Sequence, residues 1–152
     1  MSSSPRDSFK VRQATLPDVQ RVFTLLKVMH GEVGIFPLAE EKAVARIASI
    51  IEAGGCLVIE DGGEMVASVG LEQNAAWYTE AQCYADVWFY VHHDHRKSGH
   101  AKVLLWFSKQ ASRMKQIPVV VSVGTTKDTL RKLRFFRKYM TPFGGSFIYG
   151  VQ

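Results

Sequence analysis

The stretch that decides the fold is residues 91–101, with the sequence Val-His-His-Asp-His-Arg-Lys-Ser-Gly-His-Ala. It follows an apolar, aromatic segment at 84–91 that is typical of a strand, and it leads into helical spacing from 99 to 115. A helix N-terminus leaves amide N–H groups without backbone partners, and the helix dipole adds partial positive charge there. Small residues in this turn allow close backbone approach, and its Arg-Lys pair adds formal charge. The pattern therefore predicts a site for phosphate groups.

Two common nucleotide-binding patterns are absent from this turn, because it contains a single glycine, Gly99, and the chain has no G-x-x-x-x-G-K-[ST] sequence. The turn does match a strand valine followed at a fixed offset by R/Q-x-x-G-x-G/A, with Val91, Arg96, Gly99 and Ala101 at the key places. In this respect the segment resembles the cofactor-binding motif of the GNAT (Gcn5-related N-acetyltransferase) family. A longer pattern, H-x-D-H-R-x-S-x-H-A-K, also resembles small bacteriophage-type members of that family.

The rest of the chain predicts one mixed α/β domain. Apolar periodicity and turn residues predict strands at 9–13, 56–60, 65–71, 84–91, 117–123 and 145–151, and helices at 16–29, 38–52, 99–115 and 127–139. We interpret residues 1–8 as a flexible N-terminal tail and 9–152 as a single domain. GNAT proteins have the same element order, so the resemblance covers nearly the whole chain. It implies a central mixed sheet of about six strands flanked by four helices.

The resemblance implies a site as well as a fold. In the family the fourth and fifth strands splay apart, and the pantetheine arm of acetyl-CoA pairs with the freed edge, here at Phe89 and Val91. The Val91 N–H then points at the thioester oxygen and acts as an oxyanion donor. The turn residues that hold the pyrophosphate are Arg96, Lys97, Ser98, Gly99, His100 and Ala101. We therefore expect an acetyl-CoA-dependent N-acyltransferase in which a primary amine attacks the thioester directly within a ternary complex.

Amide formation needs a base to deprotonate the amine, and an acid can protonate the departing thiolate. As the base we single out Asp86, a carboxylate in an otherwise apolar and aromatic strand, with Glu72 in reserve; a solvated or salt-bridged Asp86 is the alternative. The family often places a tyrosine acid on the last helix, but Phe136 stands there in this sequence. Tyr139, three residues on, is the candidate substitute, unless it only packs against the sheet. Loss of an unprotonated thiolate is a further alternative.

The resemblance places the amine acceptor between two loops, one joining the first two helices and one preceding the fourth strand. These loops lie at 32–37 and 74–80, and their candidate contacts are Glu32, Phe36, Trp77 and Tyr78. Acidic and apolar groups together suit a cationic or amphipathic amine, either a small molecule or a peptide. Loop aromatics also serve as lids or as packing residues, which is the competing interpretation.

Charge is distributed unevenly along the chain, whose formal net charge is +5. Residues 1–91 carry 7 basic and 12 acidic side chains, whereas residues 92–152 carry 12 basic and 2 acidic ones. A positive half attracts a polyanion, which leaves two further hypotheses: an acyl-CoA-binding protein without turnover, and a basic nucleic-acid-binding protein. Few stacking aromatics accompany the basic helix at 127–139, so nucleic acid ranks well behind the cofactor.

A metal site is not expected, although His92, His93 and His95 stand close to Asp94. Consecutive side chains on a strand point to opposite faces, and the family has no metal at this turn. No apolar run is long enough to span a membrane, and residues 1–8 lack the features of a signal peptide, so we expect a cytoplasmic protein. Two cysteines without metal or redox spacing predict reduced thiols. A sheet edge left uncovered near the C-terminus would suit a homodimer.

Overall fold

The structure, a computed structural model, describes residues 9–124 and 128–150 of the chain. Within these residues the strands are β1 (Phe9–Gln13), β2 (Cys56–Asp61), β3 (Glu64–Ala75), β4 (Gln82–Val91) and β5 (Val119–Val120), and the α-helices are α1 (Val19–Val33), α2 (Glu40–Glu52), α3 (His100–Lys115) and α4 (Thr129–Arg137). The strands pair in the order β1-β2-β3-β4-β5, all antiparallel except the parallel pair β4 and β5. The predicted mixed α/β class is confirmed, with a sheet of five strands rather than six.

Apolar residues fill both faces of the sheet because helices cover both. α1 and α2 pack on one face, where Val22 and Val58 are fully buried. α3 packs on the other face, where Ile59 and Leu104 are fully buried. Val58 and Ile59 are successive residues of β2 and therefore point to opposite sides, which explains why this strand has no alternating polar positions.

A β-bulge shapes the middle of β4. The register against β3 shifts between Gly70 and Leu71, so that Gly70 faces Trp88 while Leu71 faces Asp86. The Trp88 indole fills the space beside the Gly70 Cα, so an added Cβ at residue 70 would lie 2.4 Å from the ring. A larger residue than glycine therefore does not fit there. The indole Nε1 in turn donates to the buried Ser68 hydroxyl at 2.9 Å. The bulge turns the C-terminal half of β4 and increases its local twist.

The sheet opens between β4 and β5. The two strands pair only where Tyr84 and Ala85 face Val119 and Val120, and the remainder of β4 extends to Val91 with no strand on that side in the described residues. At the point of divergence the Asp86 carboxylate accepts a hydrogen bond from the Ser122 N–H at 2.9 Å. This polar contact caps the short parallel ladder, and beyond it the two segments separate.

Several predicted boundaries were wrong, and the last strand is the main case. Residues 141–150 are exposed and contain no strand, and residue 151 lies outside the described residues. A strand exists only by pairing with a neighbour, and β5 offers a ladder of just two residues in place of the predicted 117–123. α1 continues to Val33 and β3 to Ala75, so both predicted acceptor loops are shorter than expected. The predicted tail at 1–8 and Lys127 also lie outside the described residues.

The sequence predicts no membrane-spanning segment and reduced thiols, and the structure describes the helices and cysteines concerned. None of the helices in the described ranges has the length and apolar character needed to cross a bilayer. Cys56 is buried and Cys83 is half-buried, and both are free thiols.

Candidate functional site

The opening between β4 and β5 forms a cleft of about 550 Å³. Its walls come from four places: the end of β4, the turn that leads into α3, the segment after β5, and the inner side of α4. Among the predicted site residues, those that line it are Phe89, Val91, Arg96, Lys97, Ser98, Gly99 and Ala101. The sequence motif and the divergence of the strands therefore coincide in space.

The backbone of β4 presents unpaired amides to this cleft. The His92 N–H donates to the Val66 carbonyl on β3 at 2.8 Å. Because amides alternate in direction along an antiparallel strand, the N–H groups of Phe89 and Val91 face the opposite edge, which is the cleft. These two groups are spaced to pair with an extended ligand, or to donate to an oxygen bound beside them.

The turn after β4 supplies further donors. His93–His95 form one short 3-10 turn, and Gly99 then adopts a φ of +86° as the N-cap of α3. The Ser98 N–H bonds to the His95 carbonyl and the His100 N–H to the Ser98 hydroxyl. Within the part of the chain that the structure describes, the N–H groups of Lys97, Gly99 and Ala101 have no such intramolecular partner. Three such donors at a helix N-terminus are an arrangement that suits an anion.

Gly99 is required for its backbone conformation rather than for lack of space. An added Cβ would meet nothing within 4 Å, but its positive φ is one that L side chains rarely adopt. Lys97 and Arg131 contribute positive charge from opposite walls of the same cleft. Together the free amides and the cations suit a ligand that carries several phosphates.

The Arg96 guanidinium is held by three other groups of the protein. Its Nη2 bonds both carboxylate oxygens of Glu32, at 3.0 and 2.7 Å, its Nη1 lies 3.3 Å from Asp128, and its Nε donates to the Val91 carbonyl at 3.2 Å. Its charge is thus already balanced by two carboxylates, although the residue lines the cleft, and a contact between this guanidinium and a pyrophosphate stays a prediction. The guanidinium fixes the end of β4 to α1 and to the start of α4.

Glu32 completes this connection from α1. It lies in α1 rather than in a loop, and its side chain is only 8% exposed. The Tyr90 hydroxyl donates to it at 3.1 Å. Burial opposes ionisation, but the hydrogen bond and charge of Arg96, with the Tyr90 hydroxyl, hold the pKa of Glu32 below its ordinary value. The connection through Tyr90 and Asp128 was missed by sequence reasoning, because no periodicity or spacing links positions so far apart in the chain.

Asp86 lies at the floor of the opening, next to the cleft-lining Ser122. It does not line the cleft itself. Burial raises its pKa to about 6, against the opposing effect of the hydrogen bond from the Ser122 N–H. The reserve carboxylate, Glu72, is instead held by Arg46 of α2 at 2.7 Å, on the other face of the sheet. Asp86 is thus the strand carboxylate nearer to the cleft.

The residues proposed as acids and acceptor contacts are more dispersed. The Phe136 ring lines the cleft and meets the Phe89 ring edge-on at 5.2 Å. Tyr139 is not among the lining residues, and its ring lies beside Phe135 at 5.2 Å. Three acceptor candidates also lie outside the cleft lining and are exposed: Phe36, Trp77 and Tyr78.

His100 is a predicted cofactor-binding residue whose side chain does not line the cleft. It is 3% exposed, and its ring stacks on Phe9 at 4.6 Å between centroids. Its Nε2 lies 3.4 Å from the Asp61 carboxylate. Any contact of His100 with a ligand in the cleft would therefore come from its backbone, whose N–H is already directed at the Ser98 hydroxyl.

Comparison with known proteins agrees with this geometry. The acetyltransferase (GNAT) family model matches residues 21–140. No curated protein matches the sequence. The fold is similar to that of a ribosomal-protein-alanine N-acetyltransferase from Brucella melitensis biovar Abortus 2308, with 18% identity, a TM-score of 0.69, and coverage of 94% of this chain and 99% of that one.

Two further solved structures show the same fold. An aminoglycoside acetyltransferase from an uncultured soil metagenomic sample is 14% identical, with a TM-score of 0.71 and coverage of 98% and 100%. A predicted acetyltransferase from Clostridium acetobutylicum, solved with acetyl-CoA, is 13% identical, with a TM-score of 0.72 and coverage of 93% and 94%. Because the family model spans most of the sequence and the strands open at the predicted turn, this chain belongs to the acetyltransferase (GNAT) family.

Proposed function

We propose that the protein transfers the acetyl group of acetyl-CoA to a primary amine by direct attack within a ternary complex. One observation carries the proposal: two outward-facing amides of β4 and three amides of the following turn without a partner in the described residues belong to residues that line the same cleft. Such a row of donors suits a ligand with an extended, amide-containing arm that is followed by phosphate groups. Few ligands other than an acylated coenzyme A combine those two features.

The residues present fit coenzyme A in shape and charge. The N–H groups of Phe89 and Val91 match the alternating polar groups of an extended pantetheine arm. The amides of Lys97, Gly99 and Ala101 would hold the pyrophosphate of coenzyme A. The basic side chains on α4 would contact its adenosine 3′-phosphate. Acetyl-CoA supplies the acetyl group as a thioester, which an amine can attack without a covalent enzyme intermediate.

The chain's own contribution to the reaction is to orient the acyl group and to stabilise developing negative charge. An N–H of β4 would donate to the acyl oxygen, and Val91 is the donor proposed from the motif. Strand geometry places Asp86 roughly 10 Å along β4 from Phe89 and roughly 16 Å from Val91, so the Phe89 N–H is the donor closer to the carboxylate. Arg96 holds the Val91 carbonyl and thereby the direction of the Val91 N–H.

Asp86 would act as the general base through bound water, since it lies beneath the cleft rather than in its lining. Its raised pKa of about 6 keeps it largely ionised at neutral pH while making it a better proton acceptor than an ordinary carboxylate. The general-acid role of Tyr139 stays a prediction. Loss of rate in Tyr139→Phe with unchanged acetyl-CoA binding would support that role, and an unchanged rate would remove it.

The acceptor is proposed to be a cationic or amphipathic amine. Exposed aromatic side chains of Phe36, Trp77 and Tyr78 are available on the acceptor side of the sheet. Two proteins of similar fold are acetyltransferases of aminoglycosides and of ribosomal-protein alanine, so both kinds of amine belong in a substrate panel. A cytoplasmic location and the bacteriophage-type affiliation remain predictions from the sequence.

Acetyl-CoA binding tests the proposal first. Calorimetric titration of the full chain should give saturable binding, and Gly99→Glu should weaken it by at least about tenfold, because a carboxylate would repel the phosphates at a strained φ. Gly63→Glu is the matched control, since Gly63 has a φ of +84° in the β2–β3 turn and similarly open surroundings. Absence of binding at millimolar acetyl-CoA would refute the proposal.

Turnover is tested by thiol release in the presence of polyamines, aminoglycosides and a peptide with N-terminal alanine. Acetyl-CoA-dependent thiol release with at least one amine supports the transferase. Tight binding with no release across the panel would favour the alternative of an acyl-CoA-binding protein. Binding that falls steeply with salt and extends equally to nucleic acid would favour the other alternative.

A further inference from the structure

Three residues from distant parts of the sequence lie close together near the turn that joins β4 to α3. Asp61 ends β2, His95 ends the 3-10 turn, and His100 begins α3. One ligand atom of each lies within 4.8 Å of the others. None of the three side chains lines the cleft, so the acyl-transfer proposal does not account for their arrangement.

The separations match a shared metal ion better than direct hydrogen bonds. The Asp61 Oδ2 lies 3.4 Å from His100 Nε2 and 3.6 Å from His95 Nδ1. Direct N–H···O hydrogen bonds are usually about 2.7 to 3.2 Å long. By contrast, ligand atoms placed tetrahedrally at about 2.1 Å from one zinc ion are separated by roughly 3.4 Å.

His100 supplies an independent observation. Its side chain is 3% exposed, and within the described residues neither ring nitrogen has a hydrogen-bond partner. A buried polar nitrogen without a partner is costly, and such groups in native proteins usually bind a protein group, a water or an ion. The Nε2 atom is directed at the Asp61 carboxylate, where an ion shared with His95 would satisfy it.

We propose that Asp61, His95 and His100 bind a Zn²⁺ ion. Two neutral imidazoles and one carboxylate are a donor set that zinc accepts, and a fourth position remains for water. Asp61 and His95 are 30% and 28% exposed, so an ion can enter from solvent. Sequence reasoning rejected a metal because it grouped His95 with its neighbours His92 and His93, whereas the fold groups it with residues five and thirty-four positions away.

The ion would connect the β2–β3 hairpin to both ends of the turn that carries the free amides. His95 and His100 flank the segment from Arg96 to Gly99, so their fixation restrains its conformation. On this point the inference rests on the proposed function: zinc should improve acetyl-CoA affinity by ordering the turn in advance. Zinc binding itself does not depend on acetyl-CoA.

The test uses the untagged full chain after chelator treatment and dialysis. Titration with ZnCl₂ should give one saturable site, and Co²⁺ should produce the visible absorption of a four-coordinate ion. Asp61→Asn and His95→Asn should each weaken Zn²⁺ binding by at least about tenfold. His93→Asn removes a neighbouring, more exposed histidine from outside the trio and should leave the affinity unchanged.

Either of two results overturns the inference: no saturable Zn²⁺ binding by the wild-type chain, or equal affinity in Asp61→Asn, His95→Asn and His93→Asn. The test uses substitutions of the partly exposed residues Asp61 and His95, so it does not depend on whether a variant of the buried His100 folds. Normal acetyl-CoA binding with no zinc site would reject this inference alone. A zinc site in a chain that does not bind acetyl-CoA would reject the proposed function alone.

Discussion

Asp86→Asn should change how the free energy of unfolding depends on pH, because burial in the folded state disfavours ionisation of the Asp86 carboxylate. Burial raises the pKa of Asp86 from its ordinary 3.8 to about 6. The unfolded chain therefore loses this proton at lower pH than the folded chain does. The contribution of Asp86 to stability is fully present below pH 3.8 and is lost as pH rises through about 6.

The size of the loss follows from the two pKa values. At about 1.36 kcal/mol per pKa unit, a shift from 3.8 to about 6 corresponds to an upper value of roughly 3 kcal/mol. Asparagine does not ionise, and its side-chain oxygen can still accept the Ser122 N–H. The free energy of unfolding of Asp86→Asn, relative to the wild type, should therefore rise by roughly 2 to 3 kcal/mol between pH 3.5 and pH 8.

Urea unfolding followed by tryptophan fluorescence measures this difference at each pH. Glu80→Gln, which removes an exposed carboxylate from the loop before β4, is the control for a change of one charge. A difference between Asp86→Asn and the wild type that is constant with pH would refute the burial argument. The rate of thiol release tests the separate base proposal: Asp86→Asn should lower it at least about a hundredfold with little change in acetyl-CoA binding, and an unchanged rate would exclude the role.

Two other substitutions test the supports of the site. Glu32→Gln weakens the charged hydrogen bonds between residue 32 and Arg96. As a result, kcat for thiol release should fall about tenfold more than acetyl-CoA affinity does. Equal losses of kcat and affinity would mean that this contact serves binding alone. Gly70→Ala forces a Cβ to within 2.4 Å of the Trp88 ring and should lower the free energy of unfolding by roughly 1 to 3 kcal/mol. Gly31→Ala, in a helix with open space around it, should instead raise that free energy by up to about 1 kcal/mol, and similar losses in both would contradict the crowding argument.

Most of the helices and strands could be predicted because their signals are local. The apolar runs of β2 and β4 and the helical spacing of α1 to α3 reflect which side chains must be buried, and neighbouring residues carry that information. The turn motif was recognisable for the same reason. Its donors are backbone amides, so its requirements are a glycine at the right offset and a strand before it, both visible within eleven residues.

The residues that failed prediction depend on pairing between distant segments. The alternating aromatics near the C-terminus resemble a strand, but a strand needs a neighbour, and β5 provides only Val119 and Val120. Tyr139 lies beyond the end of α4 at Arg137, and its ring packs beside Phe135, while its role as general acid stays a prediction. The missing last strand does not follow from local propensity, because a strand depends on the pairing that a neighbouring segment offers.

By itself the sequence determined the class of fold and the turn that presents unpaired amides, because both follow from local burial patterns and short-range spacing, and the resemblance of that turn to a known motif indicated the family. Only the tertiary structure decided what the charged side chains do. The Arg96 guanidinium is bound by the Glu32 carboxylate, and the Asp61 carboxylate lies close to His95 and His100. The reason is physical: a backbone amide points where its own strand or turn directs it, whereas a charged side chain takes whichever distant partner the packed layers bring within reach.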